Sequence, residues 1–543
     1  MEETDFRRVV TQHPTALVGM ASALSLFALG PSPSFVPVIL LIATLRLYAT
    51  IVTARYRPHP VRSLLILTGC LTACIAFTHV GPSAHALSTP TLAVLSLVVL
   101  STISCLLALV PVLIDAYSVR LQSIPRWAHL LLFPAIWASS IHFIAQHNPV
   151  GELITWTPVL GVDAYRWIRP FLGPIGINWI VAAWAAVVAQ IAVDDQESGS
   201  NRNSKKLQVW SLAVFLLLMA LPSWFSSTLP LPVDSPSTTP YTFGCALPPS
   251  DVKNPTFDDY VAATAQIVNQ AQIVLWPEGA VQFESAEAKR VAAEKIKDRA
   301  AGAYIAVSFE EYLPRENHTR SGLRRNGVML INQRHGVVFE YYKRNLVPLV
   351  ESFSQIPSND PPSVVPITFK TNKKKFPDLP ITASICLDFA TSSPFADLPI
   401  RPALILGPAR TWDIKVATAM WEQAKARAEE IGSTVLWCDG GAGGISGIAG
   451  QGMNEVFQTG AGSWIKTIGI GAPFNENATT FYARGGNWSA YTLVWVPFFI
   501  AWATSDARNM QVRANWLLRG WRAWRQRRNR GQMEAGERTQ LLL

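Results

Sequence analysis

The chain has 543 residues and a formal net charge of +9. Hydrophobic residues make up 49% of it and charged residues only 15%, whereas an average soluble protein carries about 25% charged residues. With 38 prolines and 19 tryptophans it is neither a disordered chain nor a coiled coil, and 6 cysteines are too few for a disulfide scaffold. The low charge comes mostly from residues 15–225, which argues against a wholly soluble protein.

Seven apolar stretches occur before residue 226. A helix needs about 20 apolar residues to cross a bilayer core of roughly 30 Å. The first stretch is short and is followed at once by prolines, which predicts a tilted or partly interfacial helix. A cleavable signal peptide is the competing interpretation, discounted because no convincing small-residue cleavage site precedes those prolines. Residues 1–225 are therefore predicted to be a transmembrane domain of about seven helices: 15–30, 35–54, 62–80, 91–115, 127–146, 175–193 and 207–225.

The basic residues of the loops predict the orientation of these helices. With the N-terminus in the cytoplasm, every cluster of Lys and Arg but the one in loop 147–174 falls on one side, as the positive-inside rule requires. An odd number of crossings then puts the second half of the chain on the extracytoplasmic or lumenal face. Losing one helix from the count would reverse this prediction.

The end of the chain is predicted to return to the cytoplasm. Residues 490–504 form an eighth, short apolar stretch, interpreted as a C-terminal transmembrane helix. Residues 505–543 form a basic cytoplasmic tail with nine arginines from Arg508 to Arg538. Its tryptophans alternate with arginines, which suits a helix lying on an anionic membrane surface. Membrane lipid is therefore preferred over nucleic acid as the partner of this tail.

One charged residue lies inside a predicted transmembrane segment. Arg46 belongs to the second segment, where a charge is often functional. It is also within snorkelling reach of the cytoplasmic face, and this plainer interpretation is preferred. Asp115 is its candidate partner.

The second half of the chain reads as a soluble α/β domain. Residues 226–250 are rich in Pro, Ser and Thr and are interpreted as a linker. Residues 251–489 alternate predicted strands and helices and include one hairpin, over 327–332 and 337–342. This mixture predicts an α/β sandwich with mixed sheets.

Three predicted strands of this domain are followed by residues that carry chemistry. Glu278 follows the first in VLWPEGA, Lys343 the second in FEYYKRNLVPLVE, and Cys386 the third in ITASICLDFA. A thiol needs a base to become a nucleophile, and a nearby cation stabilises the thiolate and an oxyanion. Singly, a cysteine at a strand end is more often a small buried hydrophobe. Together, the three residue types suffice for acyl transfer through a thioester.

The order Glu, Lys, Cys in these contexts resembles the nitrilase (carbon–nitrogen hydrolase) superfamily and, within it, the apolipoprotein N-acyltransferase family. WPEGA, YYKRNLVPLVE and SICLD resemble the segments around that family's base, lysine and nucleophile. Residues 444–446 and TFYARGGNW, at 480–488, resemble its C-terminal signatures. The resemblance implies an αββα sandwich outside the cytosol, with several membrane helices before it and one after it. It also implies a protein that works as a monomer. The sequence has no His/Cys cluster with metal spacing and no phosphate-cradling Gly motif after a strand, so no metal or cofactor is expected.

The resemblance further implies a ping-pong mechanism with catalytic Glu278, Lys343 and Cys386. Glu278 would deprotonate Cys386, and the thiolate would take a fatty acyl chain from a membrane phospholipid. Lys343 and the backbone N–H of Leu387 would stabilise the oxyanion. An amine would then accept the chain, with Glu351 orienting the lysine or this acceptor. The acceptor is a protein N-terminus or another amine.

Some positions depart from that family's pattern. Asp388 stands two residues beyond the nucleophile, where the family usually has Glu, and it keeps the charge with a shorter reach. In the segment 408–412, Trp412 is kept, but Arg410 stands where the family has an acidic or amide partner. These changes surround the acceptor region, so the acceptor's identity stays open.

Weaker signals concern the compartment and cysteine pairing. Three glycosylation sequons begin at Asn317, Asn477 and Asn487. The end of the tail resembles an acidic dileucine sorting signal, and both hints favour a eukaryotic endomembrane over a bacterial inner membrane. Cys245 and Cys438 are candidates for a disulfide in an oxidising compartment.

Two other functions remain open from the sequence. One is a membrane-anchored amidase or hydrolase of the nitrilase type, in which water replaces the amine. The other is a non-catalytic membrane scaffold that keeps the fold and binds partner enzymes, although the intact Glu278, Lys343 and Cys386 argue against it.

Overall fold

The fold is that of a computed structural model of the chain. It describes residues 13–504 except 55–58, 88, 119–123, 194–199, 226–229, 314–321, 372–373, 376, 392, 397 and 451–452. The predicted tail, residues 505–543, and the sequon at Asn317 lie outside the described residues.

The first part of the described chain is a bundle of helices. Six of them are long and apolar enough to cross a membrane, and Pro14–Ala28 is a shorter apolar helix. At 15 residues, that helix is about 22 Å long, short of a bilayer core. All seven coincide with the predicted stretches: α1 Pro14–Ala28, α2 Phe35–Ala54, α3 Pro60–Ala84, α4 Pro90–Ser118, α5 Arg126–His147, α6 Arg169–Val193 and α7 Ser200–Phe225.

Arg46 of α2 is paired inside this bundle. Its Nη2 lies 2.7 Å from Oδ2 of Asp115 on α4, and its Nε donates to the same oxygen at 2.8 Å. The guanidinium also lies over the ring of Phe133, 4.2 Å from the centroid. The candidate partner suggested by the sequence is therefore confirmed, and the ion pair explains how this charge is held among apolar helices.

Two mixed sheets form the second part of the chain. In the first sheet the order is β15-β1-β2-β4-β5-β6, with β3 paired to β4, and in the second it is β14-β13-β12-β11-β10-β7. A small hairpin, β8–β9, lies apart from both. The strands are β1 Thr238–Cys245, β2 Ile273–Leu275, β3 Val281–Phe283, β4 Tyr304–Tyr312, β5 Arg324–Asn332, β6 Gly336–Tyr342, β7 Val365–Ile367, β8 Lys370–Thr371, β9 Lys374–Lys375, β10 Leu379–Ala383, β11 Leu404–Ala409, β12 Thr434–Asp439, β13 Ile445–Gly450, β14 Met453–Thr459 and β15 Trp464–Gly471.

The sheets face each other and carry helices on their outer sides. Apolar side chains of both sheets, such as Phe243 and Leu436, share one buried core. Helices α8 Phe257–Ile267 and α9 Ala286–Arg299 pack on the outer face of the first sheet. Helix α10 Ile414–Ile431 packs on the second. The predicted fold class, membrane helices followed by an αββα sandwich, is confirmed.

Local signals set the limits of α10. The Asp413 side chain accepts a hydrogen bond from the backbone N–H of Lys415 and so caps the N-terminus. Gly432 ends the helix in the left-handed region, at φ 68°, which a residue without Cβ adopts at little cost. The sequence prediction of a helix over residues 415–431 is therefore confirmed within one residue.

The predicted linker over residues 226–250 is partly wrong. Strand β1 lies inside it and pairs with β15 in antiparallel register from Thr238 with Gly471 to Cys245 with Trp464. Its other edge pairs in parallel with β2. Local Pro and Thr content predicted a loop, but partners far along the chain make this segment a central strand. The domain therefore begins before residue 251.

A disulfide between Cys245 and Cys438 joins the two sheets, with a Cα–Cα distance of 5.6 Å. Cys245 ends β1 of the first sheet, and Cys438 lies in β12 of the second. The pairing that the sequence left open is therefore present.

The sandwich is docked on the helical part through polar contacts. Arg427 of α10 is 1% exposed and lies 3.4 Å from Glu152, in the loop after α5. Trp412, just before α10, donates its indole N–H to the carbonyl of Pro82, near the end of α3, at 2.9 Å. A last helix, α11 over residues 481–504, contains the predicted C-terminal membrane segment. It is not among the six long apolar helices.

Candidate active site

Glu278, Lys343 and Cys386 converge at one edge of the sandwich, where the two sheets meet. Lys343 directly follows β6, and Glu278 lies three residues beyond β2; both strands belong to the first sheet. Cys386 lies three residues beyond β10 of the second sheet. All three are buried, with exposed fractions of 5%, 1% and 7% for Glu278, Lys343 and Cys386. The three strand ends singled out by the sequence therefore form one cluster.

The ammonium of Lys343 is the centre of this cluster. Its Nζ donates to Oε1 of Glu278 at 2.7 Å and to the two carboxylate oxygens of Glu351 at 2.7 and 2.8 Å. Burial disfavours the charged lysine, but the carboxylates of Glu278 and Glu351 oppose this effect, and the pKa of Lys343 is raised above its ordinary value. Lys343 is therefore a fixed cation, suited to stabilising negative charge rather than to transferring a proton.

Glu278 has the properties of a general base. Burial raises its pKa to about 7, against the opposing pull of Lys343. A hydrogen bond with the Cys386 thiol also contributes, in the lowering direction. A base whose pKa lies near neutrality is ionised at working pH and still basic enough to accept a proton. Asn326, which donates to Oε1 of Glu278 at 2.8 Å, fixes the carboxylate and was not predicted from the sequence.

The turn that carries Glu278 is tied to both sheets. The Glu278 N–H donates to the carbonyl of Ala409 at the end of β11, at 3.2 Å. The N–H of Gly279 donates to the hydroxyl of Ser308 on β4, at 3.3 Å. Gly279 has φ +59°, which a side chain would strain. The glycine of the WPEGA motif therefore lets the chain turn where the carboxylate enters the cleft.

Cys386 stands on a strained turn between β10 and a short 3-10 helix, Cys386–Ala390. Its φ is +43°, a region that residues with a side chain rarely adopt. Strand-to-helix turns of this kind expose a nucleophile in other hydrolases. Burial and the neighbouring Glu278 raise the pKa of the thiol well above its ordinary value, while Lys343 lowers it. The resting group is therefore a thiol, and Glu278 is the carboxylate beside it.

Leu387, the next residue, is buried at the start of that helix. The first N–H groups of a helix lack intrahelical acceptors. Its backbone N–H is therefore available beside the nucleophile, where the resemblance assigned it.

Asp388 has a different position from the one expected of an acceptor-binding residue. It is 1% exposed, and its Oδ1 accepts hydrogen bonds from the N–H and the side-chain amide of Asn345, at 2.8 and 2.9 Å. Its Oδ2 accepts from the Tyr341 hydroxyl at 2.8 Å and from the N–H of Ile385 at 3.1 Å. Asp388 thus joins the nucleophile turn to the lysine segment, which it positions.

Two cavities meet beside this cluster. The larger, of about 810 Å³, is lined by Glu278, Glu351 and Arg410 among other residues. The smaller, of about 220 Å³, is mostly apolar and is formed by the ends of α1, α3 and α4 together with residues 347–350 of the lysine segment. Ala86, Val350 and Trp412 line both. Trp412 therefore lies at the boundary between a polar cleft and a pocket within the helical part.

Arg410 is a second residue of the site that sequence reasoning did not select. It directly follows β11, and its backbone lowers the pKa of the Cys386 thiol, against the larger raising effect of burial. Its departure from the family pattern was the one signal that pointed to it. Among the described residues there is no group of three or more His, Cys, Asp or Glu that could hold a metal.

Comparisons with known proteins give no family assignment. No protein-family model matches the chain, and no curated protein matches it. Among solved structures, an amidase from Nesterenkonia sp. is 18% identical, covering 45% of this chain and 94% of its own, with a TM-score of 0.32. A mutant of the Nesterenkonia AN1 amidase, described as from the nitrilase superfamily, is 18% identical over 44% of this chain and 93% of its own, with a TM-score of 0.33.

A third solved structure is another mutant of the amidase from Nesterenkonia sp. AN1. It shows covalent addition of the acetamide moiety of fluoroacetamide at that protein's active-site cysteine. It is 17% identical, covering 42% of this chain and 90% of its own, with a TM-score of 0.31. At these low scores, the function of this chain has to be argued from its own residues.

Proposed function

We propose that the chain is a membrane acyltransferase of the nitrilase superfamily, of the apolipoprotein N-acyltransferase type. It moves a fatty acyl chain from a phospholipid to an amine through a thioester on Cys386. The observation that carries this proposal is the buried contact of Lys343 with Glu278, at 2.7 Å, beside a cysteine on a strained turn. Base, cation and nucleophile are in place for covalent acyl transfer.

In the first half-reaction, the Glu278 carboxylate takes the thiol proton as the Cys386 sulfur bonds to the ester carbonyl carbon. The negative charge that develops on the carbonyl oxygen is stabilised by Lys343 and the N–H of Leu387. The carbon–oxygen bond then breaks, and Glu278 returns its proton to the leaving alkoxide. The products are the thioester and a lysophospholipid.

In the second half-reaction, an amine attacks the thioester carbonyl and passes a proton to Glu278. The carbon–sulfur bond breaks, the amide leaves, and the proton returns to the Cys386 thiolate. Glu351 holds Lys343 in place through both steps, because its two carboxylate oxygens accept from Nζ.

The smaller cavity supports a lipid as the acyl donor. Its walls come from membrane helices and include Ile75, Leu97 and Leu100, and it adjoins the catalytic cleft at Trp412. An acyl chain binds in such a pocket by the burial of its methylene groups. The ester at the head of the chain then reaches the cleft that contains Glu278.

The sandwich is proposed to lie on the extracytoplasmic or lumenal face of a eukaryotic endomembrane. The disulfide between Cys245 and Cys438 supports an oxidising compartment, because such bonds persist there and are rare in the cytosol. We propose that the protein acts as a monomer, as the family resemblance implies, and that it needs no cofactor.

Intact-mass measurement tests the proposal. Purified protein in detergent is incubated with a phospholipid of one defined acyl chain, and the mass gain of that chain is expected on Cys386. Glu278→Gln is expected to abolish the gain, and Cys386→Ala serves as the control for the site of attachment. No adduct in the wild-type protein, with Cys386→Ala indistinguishable from it, would reject the acyltransferase.

A nitrilase-type hydrolase is the second candidate. The volume of the polar cleft favours it. About 810 Å³ beside Glu278 and Glu351 is ample room for water to reach a thioester. The two functions separate on the fate of the acyl chain. Free fatty acid formed at the same rate with and without added amine would indicate hydrolysis, whereas acyl transfer predicts an acylated amine.

A further inference from the structure

The charged groups on the wall of the larger cavity are not balanced. Its acidic members are already engaged by neighbours: Lys343 contacts both Glu278 and Glu351, and Glu310 contacts Arg324 at 2.5 Å. A negatively charged group of the substrate would therefore meet only carboxylates that are already in ion pairs. The acids of this wall therefore belong to the protein's own ion pairs.

The basic members of the same wall are unpaired. Arg410 and Lys253 both line the cavity, and both are exposed. Within the described part of the chain, neither side chain forms an ion pair or a hydrogen bond. Two cations that face a cleft with no protein partner are available for an anion of the substrate.

Arg410 is close to the reacting atoms. It directly follows β11, and its side chain lines the same cavity as Glu278. Its Nη1 lies 4.0 Å from the point that a Cβ on Gly279 would occupy, so the guanidinium stands beside the turn that carries Glu278. An anion bound by this guanidinium lies beside the turn that carries Glu278.

We propose that Arg410 and Lys253 bind the phosphate of the phospholipid donor; this inference rests on the proposed function. In a glycerophospholipid the phosphate lies a few bonds from the acyl ester. With the ester carbonyl at Cys386 and the chain in the apolar cavity beyond Trp412, the phosphate falls in the larger cavity. A guanidinium binds phosphate oxygens in bidentate geometry, which suits Arg410 for this site.

The experiment compares two donors that differ in the phosphate headgroup, with phosphatidic acid as the phospholipid so that only the phosphate is removed. A phospholipid and the diacylglycerol with the same chains are presented to the purified full-length protein in mixed micelles of a neutral detergent. Formation of the Cys386 thioester is followed by intact mass, and kcat/KM is obtained for each donor. The variants are Arg410→Gln, Lys253→Gln and Arg410→Lys. Arg334→Gln is the control, because it removes an equal charge at an exposed turn away from both cavities.

Wild-type protein is expected to prefer the phospholipid. Arg410→Gln and Lys253→Gln are each expected to lower the phospholipid-to-diacylglycerol ratio about tenfold, as loss of a charge-assisted hydrogen bond predicts, mainly through KM. Arg410→Lys is expected to recover part of the ratio. Arg334→Gln should match the wild type for both donors.

The phosphate site would be overturned if the phospholipid-to-diacylglycerol ratio were the same in Arg410→Gln and Lys253→Gln as in Arg334→Gln. The proposed acyltransferase activity would be unaffected by that result. A defect confined to transfer of the chain from preformed acyl-enzyme to an amine would also overturn the phosphate site, because the anion would then belong to the acceptor. Absence of the thioester from both donors in the wild-type protein would overturn the proposed function itself, and the phosphate site with it.

Discussion

The carboxylate of Glu278 accepts a hydrogen bond from the ammonium of Lys343 at 2.7 Å, although 65 residues separate the two along the chain. Neither group is accessible to bulk water, since their side chains are 6% and 0% exposed. A buried pair of this kind costs desolvation energy that its own attraction only partly offsets. Because Glu278 also lines the larger cavity, this pair points to a chemical role rather than to a contribution to stability.

Lys343→Met is expected to lower the rate of thioester formation about 100- to 1,000-fold, the usual effect of removing one oxyanion donor. Loss of the ammonium also leaves Glu278 and Glu351 facing each other without a cation, which raises the pKa of Glu278 further. Intact-mass kinetics measures the rate.

Lys289→Met is the matched control for this variant. Lys289 also contacts two carboxylates, Glu311 and Glu340, each at 3.1 Å, but lines neither of the two cavities at the site. It should keep the wild-type rate. Equal rates in Lys343→Met and Lys289→Met would contradict the proposed role of Lys343.

The rate of thioester formation should depend on pH through Glu278. Only the ionised carboxylate accepts the thiol proton, so kcat/KM should rise about tenfold per pH unit below the pKa and level off above it. With the pKa of Glu278 at about 7, the half-maximal rate is expected near that pH. A profile of kcat/KM against pH measures this rise, which is the acidic limb of the profile.

Asn326→Ala should move the acidic limb of the kcat/KM profile to higher pH. The Asn326 amide donates to the Glu278 carboxylate at 2.8 Å and so favours its charged form; removing it raises the pKa. If the acidic limb of this variant coincides with that of the wild type, Asn326 does not change the pKa of Glu278. The thermal midpoint of Asn326→Ala in detergent provides the check that the fold is intact.

Asp388→Asn is expected to damage the site without touching substrate. The carboxylate accepts from Asn345, Ile385 and Tyr341, and an amide nitrogen in place of one oxygen meets donors instead. Leaving such buried donors unsatisfied costs about 1–3 kcal/mol each. A lower thermal midpoint and a slower thioester step are expected together.

Tyr341→Phe is the graded partner of that variant, because it removes only the 2.8 Å hydrogen bond to Asp388. Its loss should be smaller, about 1 kcal/mol. If Asp388→Asn kept both the stability and the rate of Tyr341→Phe, Asp388 would not be the residue that positions the lysine segment.

The sequence predicted the parts of this molecule that depend on local patterns. Apolar length marked the seven helices, and strand ends marked Glu278, Lys343 and Cys386. The sequence could not predict β1, because Pro and Thr content describes a loop while the pairing of Thr238 with Gly471 depends on residues more than 200 positions away. Long-range pairings of this kind have no local signature.

The supporting residues were predicted less well for the same reason. The positive φ of Cys386 results from the closure of the turn, which residue type does not reveal. Asn326 reaches Glu278 only because β5 runs beside β4, and β4 beside β2. The sequence placed Asp388 around the acceptor region, but its carboxylate is buried between Asn345, Ile385 and Tyr341. Residue chemistry identified the reacting groups, and only the packing identified the groups that hold them.

The disulfide between Cys245 and Cys438 should be closed in the mature protein. A maleimide reagent is expected to label neither cysteine in the denatured protein until a reductant is added. Replacing both by serine should cost about 2–5 kcal/mol of stability, the usual loss for a native disulfide. Labelling of either cysteine without reductant, in protein taken directly from cells, would contradict this pairing and the oxidising compartment.

The face of the membrane on which the sandwich lies can be read from its sequons. Asn477 is exposed, whereas the side-chain oxygen of Asn487 accepts hydrogen bonds from the hydroxyls of Ser393 and Tyr482, at 2.9 and 2.6 Å. In a eukaryotic host with the Asn317→Gln background, a glycan removable by peptide N-glycosidase is therefore expected on Asn477 alone.

Two substitutions separate the outcomes of that experiment. Thr479→Ala destroys the sequon but keeps Asn477, so it should abolish the glycan without changing the thioester rate. Asn487→Gln should leave the glycan in place, because that amide is engaged inside the protein. The short helix Pro14–Ala28 decides the parity of the crossings: if it did not span and the N-terminus stayed in the cytoplasm, the sandwich would face the cytosol and the Asn477 sequon would carry no glycan. With a cytoplasmic N-terminus, a glycan at Asn477 therefore requires an odd number of crossings before the sandwich.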